Sequence, residues 1–268
     1  MPYPGGRHRG GCVIPDQRRQ ALLRALRESG VLSIRELCDL LKVSHMTIRR
    51  DIATLEAEGL VEAVAGGVRS VQSLRSEPTY QDKSSTKIAA KTAMAERAAE
   101  FVQSGQTLFL DAGTSLGHLV PHLAGLEDLT VVTNDLTTAV HLSDLENIVL
   151  FQIGGHIDRR NRSTVGAFAA EMLAHFNFDL ALISTSSWDL AHGVSTPSEL
   201  KVGVKRAAIA QAKTTMLVAG SEKYGLVGTF GVAPLNAFDH VLTDPDLPES
   251  EIERIHRAEI DLILSEPA

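Results

Sequence analysis

Asp111-Ala-Gly-Thr-Ser115 brings a carboxylate, a glycine and two hydroxyls together where a β-branched, apolar run gives way to a helical pattern. These residue types suit an anion. Gly113 permits close backbone approach, amides near Thr114 and Ser115 are free at a helix start, and both hydroxyls can donate. Asn134-Asp135, Gly154-Gly155-His156, Ser184-Thr-Ser-Ser187 and Gly220-Ser-Glu-Lys223 follow later apolar runs in the same way. Lys223 is the cation that would neutralise the ligand. A second chemistry resides in Ser44-His-Met-Thr-Ile-Arg-Arg-Asp-Ile52. Ile48, Ile52 and Leu55 recur at helical spacing, which turns His45, Thr47, Arg49 and Arg50 outward. Guanidinium and hydroxyl groups at the start of a short helix are suited to the phosphates and base edges of duplex DNA.

Other constellations are weaker. His118 and His122 stand four apart, a metal-ligand spacing, but Pro121 lies between them and no neighbouring Cys or carboxylate completes a site. Solvated or capping histidines are expected, and no metal or cofactor. Asp111, Asp135 and Asp179 could supply the carboxylate base of an aldose–ketose isomerisation. No carboxylate and lysine are spaced as a catalytic pair, so binding is expected rather than turnover. Trp188 could stack on a sugar face, with His192 beside it, or fill a core.

The elements that must position these groups are legible. Residues 17–29 form an amphipathic helix through Leu22, Leu23 and Leu26, and residues 32–41 a second through Ile34, Leu37, Leu40 and Leu41. Lys42-Val43 makes the turn and Ser44 caps the next helix, which Gly59 would close. Leu60–Val64 and Val68–Val71 then read as strands around Gly66-Gly67. The pattern predicts a winged helix-turn-helix over residues 16–72, with Ser44, His45, Met46, Thr47, Arg49 and Arg50 at the groove.

Residues 1–15 read as a disordered basic tail and 73–85, polar and containing Pro78, as a linker. Beyond a helix at about 86–103, six short runs alternate with helical patterns: 107–111, 129–133, 148–153, 178–183, 215–219 and 240–243. That order predicts a largely parallel, Rossmann-like α/β domain over 86–268, whose ligands bind beyond the carboxyl ends of the strands.

The net charge of −7 argues against nucleic acid until the chain is divided. Residues 1–75 carry 12 Lys and Arg against 8 Asp and Glu; the remainder carries 14 against 25. A weakly basic module on an acidic body suits a regulator that reads sequence, not a protein that coats nucleic acid. Cys12 and Cys38 suggest no disulfide framework, which implies a reducing cytoplasm. No apolar run is long enough for a membrane span.

With both halves read, the chain resembles the DeoR family of bacterial sugar-metabolism regulators. The first half carries Val43-Ser44, Thr47-Ile-Arg-Arg-Asp51, Leu55-Glu56, Gly59 and Gly66-Gly67. The second carries Lys87-Ile-Ala89, Asp111-Ala-Gly-Thr114, Val132-Thr-Asn134, Gly154-Gly155, Val165-Gly166, Lys223 and Thr243-Asp244. The resemblance implies a repressor of a carbohydrate operon, released by a phosphorylated sugar, with a sensor fold similar to ribose-5-phosphate isomerases. It also implies a dimer or tetramer on operator DNA. The effector would meet Asp111, Gly113, Thr114, Ser115, Asn134, Gly154, Gly155, Lys87 and Lys223. The chain departs from the family at Glu62, Ala63 and Ala65, where the wing commonly carries Arg-x-His, leaving Arg69 as the wing's candidate for phosphate. It departs again at Gly220, where an Asp three residues before the sensor lysine is frequent.

Overall fold

The computed structural model describes residues 15–29, 31–58, 60–64, 66–70 and 72–266. The chain divides into two compact units, residues 1–72 and 73–268. The tail through residue 14 and the stop at Gly59 lie outside the described residues.

In the first unit, α1 (Pro15–Ser29), α2 (Ile34–Leu41) and α3 (His45–Ala57) enclose Leu22, Leu26, Leu37, Ile48, Ile52 and Leu55. The i, i+4, i+7 spacing in α3 therefore does face a core. Helix α2 begins two residues later than the pattern suggested, because Ser33 and Glu36 form a reciprocal capping box. Leu32 belongs instead to a strand, β1 (Val31–Leu32), which pairs with the wing. Lys42 ends α2 in the left-handed region at φ 52°, and Ser44 caps α3 by accepting from the Thr47 amide at 3.3 Å.

The wing is an antiparallel hairpin of β2 (Val61–Val64) and β3 (Gly67–Ser70), and the sheet order is β1-β3-β2. The two glycines do different jobs. Gly66 takes the turn at φ +89°, whereas Gly67 already lies in β3, where a Cβ would sit 2.3 Å from the Leu32 carbonyl oxygen. Inside the signature string, Asp51 is buried and accepts from Arg18 of α1 at both carboxylate oxygens, one at 3.0 Å. This fork fastens the recognition helix to the support helix.

The second unit is built on a seven-stranded parallel sheet. Its order is Leu262–Leu264, His240–Thr243, Ala212–Val218, Phe178–Ser184, Thr107–Leu110, Leu129–Thr133 and Ile148–Gln152. Six strands fall on the expected runs, and Leu262–Leu264 adds a seventh at the edge. Chain order reverses between Thr107–Leu110 and Phe178–Ser184, which makes their carboxyl ends the topological switch point. Helices cover both faces over two apolar clusters, one around Phe109, Ile183 and Leu217 and one around Leu108, Leu182 and Met216. Antiparallel excursions at His156–Asp158/Ser163–Val165 and Ser187–Asp189/Gly193–Thr196/Phe230–Ala233 interrupt the alternation.

Residues 73–85 are not a plain connector. Thr79 and Asp82 form a capping box for a helix at Tyr80–Ser84. The Tyr80 amide donates to the Arg160 carbonyl at 2.9 Å, and the Arg162 guanidinium lies 4.6 Å from the centre of the Tyr80 ring.

Removing one partner of a buried, hydrogen-bonded pair is costly even where the intact pair adds little. Asp51→Ala should therefore destabilise the first unit by about 3 kcal/mol. The check is urea unfolding followed by circular dichroism, against exposed-face Arg50→Ala, which should change stability by less than about 0.5 kcal/mol.

Candidate functional site

The switch point holds a cavity. From the strand Thr107–Leu110 come Asp111 and the turn into a short helix, Thr114–Gly117; from Phe178–Ser184 come Ser184, Thr185 and Ser186. Asp111 is buried and accepts from the Ser184 amide at 3.0 Å and from the ammonium of Lys205. The Lys205 ammonium also donates to the Ser184 carbonyl at 2.7 Å. Asn134 lines the cavity, but its amide group is committed to shaping the turn. Its Oδ1 accepts from Ala112 N at 2.8 Å, while its Nδ2 donates to the Thr164 carbonyl at 3.2 Å. Asp135 accepts from the amides of Gly113, Thr137 and Thr138 at 2.8–3.2 Å. Burial raises the Asp135 pKa, and these three donors oppose the rise.

Gly113 precedes Thr114 because a side chain would not fit. A Cβ there would lie 2.7 Å from the Ser184 Cβ. The helix that follows leaves first-turn amides without intrahelical acceptors, beside the Thr114 and Ser115 hydroxyls.

Four lysines line the cavity: Lys83, Lys201, Lys205 and Lys223. Two carboxylates, Glu77 and Asp111, line it with them and a third, Asp158, stands 3.8 Å from Lys201, so the lysines outnumber the carboxylates they meet. Lys201 pairs with Glu77, which also has the Lys83 ammonium at 3.9 Å; Lys83 donates to Asn161 Oδ1 at 2.6 Å. Burial opposes the charge on Glu77, but Lys201 and Lys83 outweigh it and hold the carboxyl at about 2. Lys83 is pushed down to about 8, chiefly by burial, with the other three lysines adding to the shift and Glu77 opposing it. Burial also lowers Lys223, the cavity lysine whose ammonium has no hydrogen-bond or ion-pair partner among the described residues. Ser163 is almost wholly buried on the cavity wall, and its Oγ has no partner among the described residues.

The structure thus brings Asp111, Gly113, Thr114, Ser115, Asn134 and Lys223 together and leaves three expected residues outside. Lys87 is exposed and pairs with Asp246 at 3.2 Å. Gly154 lies in open space, and Gly155 serves packing, since a Cβ there would meet the Val165 carbonyl at 3.0 Å. Trp188 is core: its indole N–H donates to the Gly220 carbonyl at 3.2 Å and its ring meets the edge of Tyr224. His192 is bound to Asp189 at 2.9 Å. His118 and His122 fall on two separate short helical turns, and Asp179 accepts from Thr107 N at the opposite end of the sheet.

Sequence reasoning missed Glu77, Tyr80, Lys83, Asn161, Ser163, Lys201 and Lys205. Lys201 and Lys205 stand one turn apart on the helix Glu199–Ala210, a spacing that was readable but looks the same as a solvated face.

On the first unit, His45, Met46, Arg49 and Arg50 are exposed at the start of α3, and Thr47 is partly so. Arg69 departs from its expected place on the wing. It is buried and paired with Glu62 on the neighbouring strand, because the two residues are directly opposite in the hairpin register.

A winged helix-turn-helix joined to an α/β unit with a cationic switch-point cavity defines a ligand-responsive transcription regulator. Residues 18–74 match the DeoR-like helix-turn-helix domain, and residues 86–245 the DeoR C terminal sensor domain. The HTH-type transcriptional regulator YgbI of Escherichia coli K12 is 43% identical, over 94% of this chain and 99% of its own length. A protein of Escherichia coli O157:H7, named as provisional repressor of an aga operon, is 29% identical over 92% of this chain and 93% of its own. The chain belongs to the DeoR family of transcriptional regulators. Among solved structures, ribose 5-phosphate isomerase from Plasmodium falciparum is similar over 50% of this chain and 52% of its own, with TM-score 0.37 and 15% identity, a likeness too remote to bear on function. No helix among the described residues is long and apolar enough to cross a membrane.

Gly113→Ala forces a methyl group into Ser184 and should cost about 1–3 kcal/mol. Since the obstacle is a side chain, Ser184→Gly in the same chain should recover part of that loss. A double-mutant cycle in urea measures the coupling; strict additivity would mean that the two residues do not meet.

Proposed function

We propose that this protein is a repressor of a carbohydrate catabolic operon, released from its operator by a phosphorylated sugar. The observation that carries the reading is Lys223, a half-buried ammonium without a partner among the described residues. It shares a cavity with the Thr114 and Ser115 hydroxyls and the first turn that Gly113 opens. A phosphate ester brings up to two negative charges and three acceptor oxygens, which suits a cavity in which ammonium groups outnumber carboxylates. The orphaned Ser163 hydroxyl supplies a donor or acceptor for a sugar hydroxyl. Binding, not turnover, is the reading because Asp111 is tied through Oδ2 to Lys205 and Ser184, Asp135 holds the turn with both carboxylate oxygens, and Asp179 is at the far end of the sheet. The name of the aga relative supports the repressor assignment. Paired half-sites one helical turn apart call for at least a dimer.

On the DNA side, Arg49 and Arg50 supply backbone or base contacts, with His45, Met46 and Thr47 near base edges. A gel-shift titration of Arg49→Ala/Arg50→Ala should show operator binding lost, roughly 1–3 kcal/mol for each arginine that reads a guanine. Unchanged binding would end the assignment.

On the sensor side, Lys223→Ala should bind operator normally and fail to release it at the wild-type inducer concentration. The ligand affinity of the wild type should also fall as pH rises from about 7 to about 9. Lys83 discharges near 8, while a phosphate ester, with its second pKa about 6, keeps its charge. Calorimetric titration of sugar phosphates across that range is the check, and an affinity that rises with pH would contradict it.

A further inference from the structure

Glu77 stands apart from the other groups in the cavity because of where it comes from. Lys83, Lys201, Lys205, Lys223 and Asp111 all sit on or next to regular elements. Glu77 sits in the irregular stretch 75–78, and no backbone hydrogen bond joins residues 75–78 to the other described residues. Arg75, Ser76 and Pro78 are exposed, whereas Glu77 is only 8% exposed. The strand Gln72–Leu74 before this stretch pairs with Leu226–Gly228 and the helix Tyr80–Ser84 follows it, so within 75–78 the Glu77 carboxylate, on Lys201 and near Lys83, is the side-chain tie to the cavity. The stretch begins three residues after the first unit ends at Gln72.

We propose that Glu77 is a resident anion of the effector cavity, competing with the ligand's phosphate for Lys83 and Lys201, so that the bound dianion takes its place and frees residues 75–78. The proposal rests on the anion-binding reading of the cavity and adds to it a specificity rule. A monoanion offers these two lysines no more charge than Glu77 already does. A dianion with three acceptor oxygens can reach Lys223 and the Glu77 position together. Displacement costs one ion pair and is partly offset by the freedom the short stretch regains.

The test uses the full-length protein and inorganic phosphate, titrated by calorimetry at neutral pH, with acetate as the monoanion control. If Glu77 occupies its place about nine-tenths of the time, neutralising it should raise the apparent phosphate affinity about tenfold. Glu77→Gln should show that gain, and should also begin to bind acetate. Lys223→Ala should weaken phosphate binding whether or not Glu77 is present. Should Glu77→Gln fold poorly, the wild type carries the test alone through limited proteolysis and hydrogen exchange. Saturating phosphate should speed tryptic cleavage after the exposed Arg75 while slowing amide exchange at Thr114–Leu116. Phosphate binding that depends on Lys223 but is unchanged or weaker in Glu77→Gln, with cleavage after Arg75 unchanged or slowed, would overturn the competition and leave the anion site standing. Binding indifferent to Lys223 and Glu77 alike would remove both.

Discussion

The buried contact of Lys205 with Asp111 and the Ser184 carbonyl fixes most of what surrounds it. Asp111 extends the strand Thr107–Leu110 by one residue, beside the central strand Phe178–Ser184, at the point where the chain order of the sheet reverses, and its carboxylate takes the amide of Ser184 across the gap. Lys205 reaches this pair from the helix Glu199–Ala210 and so sets that helix's rotation. Lys201, one turn earlier, is thereby turned to the same cavity. A buried ion pair contributes little net stability once desolvation is counted, so its value here is positional. It determines which lysine is consumed by the fold and which remain available.

The cavity that results is electrostatically unbalanced. Burial, with the neighbouring ammonium groups adding to it, holds Lys83 at about 8, while Lys201 and Lys83 hold Glu77 at about 2. Low surrounding dielectric makes each of these charges count for more than in water. The turn at Gly113 belongs to this design. Its amide is tied to Asp135 and the preceding amide to Asn134, so the residues that look like ligand contacts in sequence are the ones that hold the contact surface still.

That distinction also explains what could be read from the sequence. Runs such as Leu129–Thr133 and Phe178–Ser184 are recognisable because a strand buried on both faces must be continuously apolar. Leu262–Leu264 is only three residues long and carries no such signal. The recognition helix was legible because its cap, core spacing and outward arginines coincide within nine residues. The lysine cage was not, because a lysine facing a cavity and a lysine facing water look alike until the fold is known. Pro78 and a polar composition suggested a linker at 73–85, although Thr79 and Asp82 already had the spacing of a capping box. Gly154-Gly155 misled in the opposite direction, since Gly155 answers a packing demand from Val165 and Ala169.

The ion pairs of the winged helix bear on how DNA perceives this module. Arg18 is committed to Asp51 and Arg69 to Glu62, so both guanidinium groups arrive with their countercharges. The cations left exposed to solvent include Arg49 and Arg50, and the module's formal charge misstates the number available to phosphates. Counterion release scales with the phosphates actually neutralised. The steepness with which operator affinity falls in salt is thus a count of exposed guanidinium and ammonium groups, blind to those the fold has spent on itself.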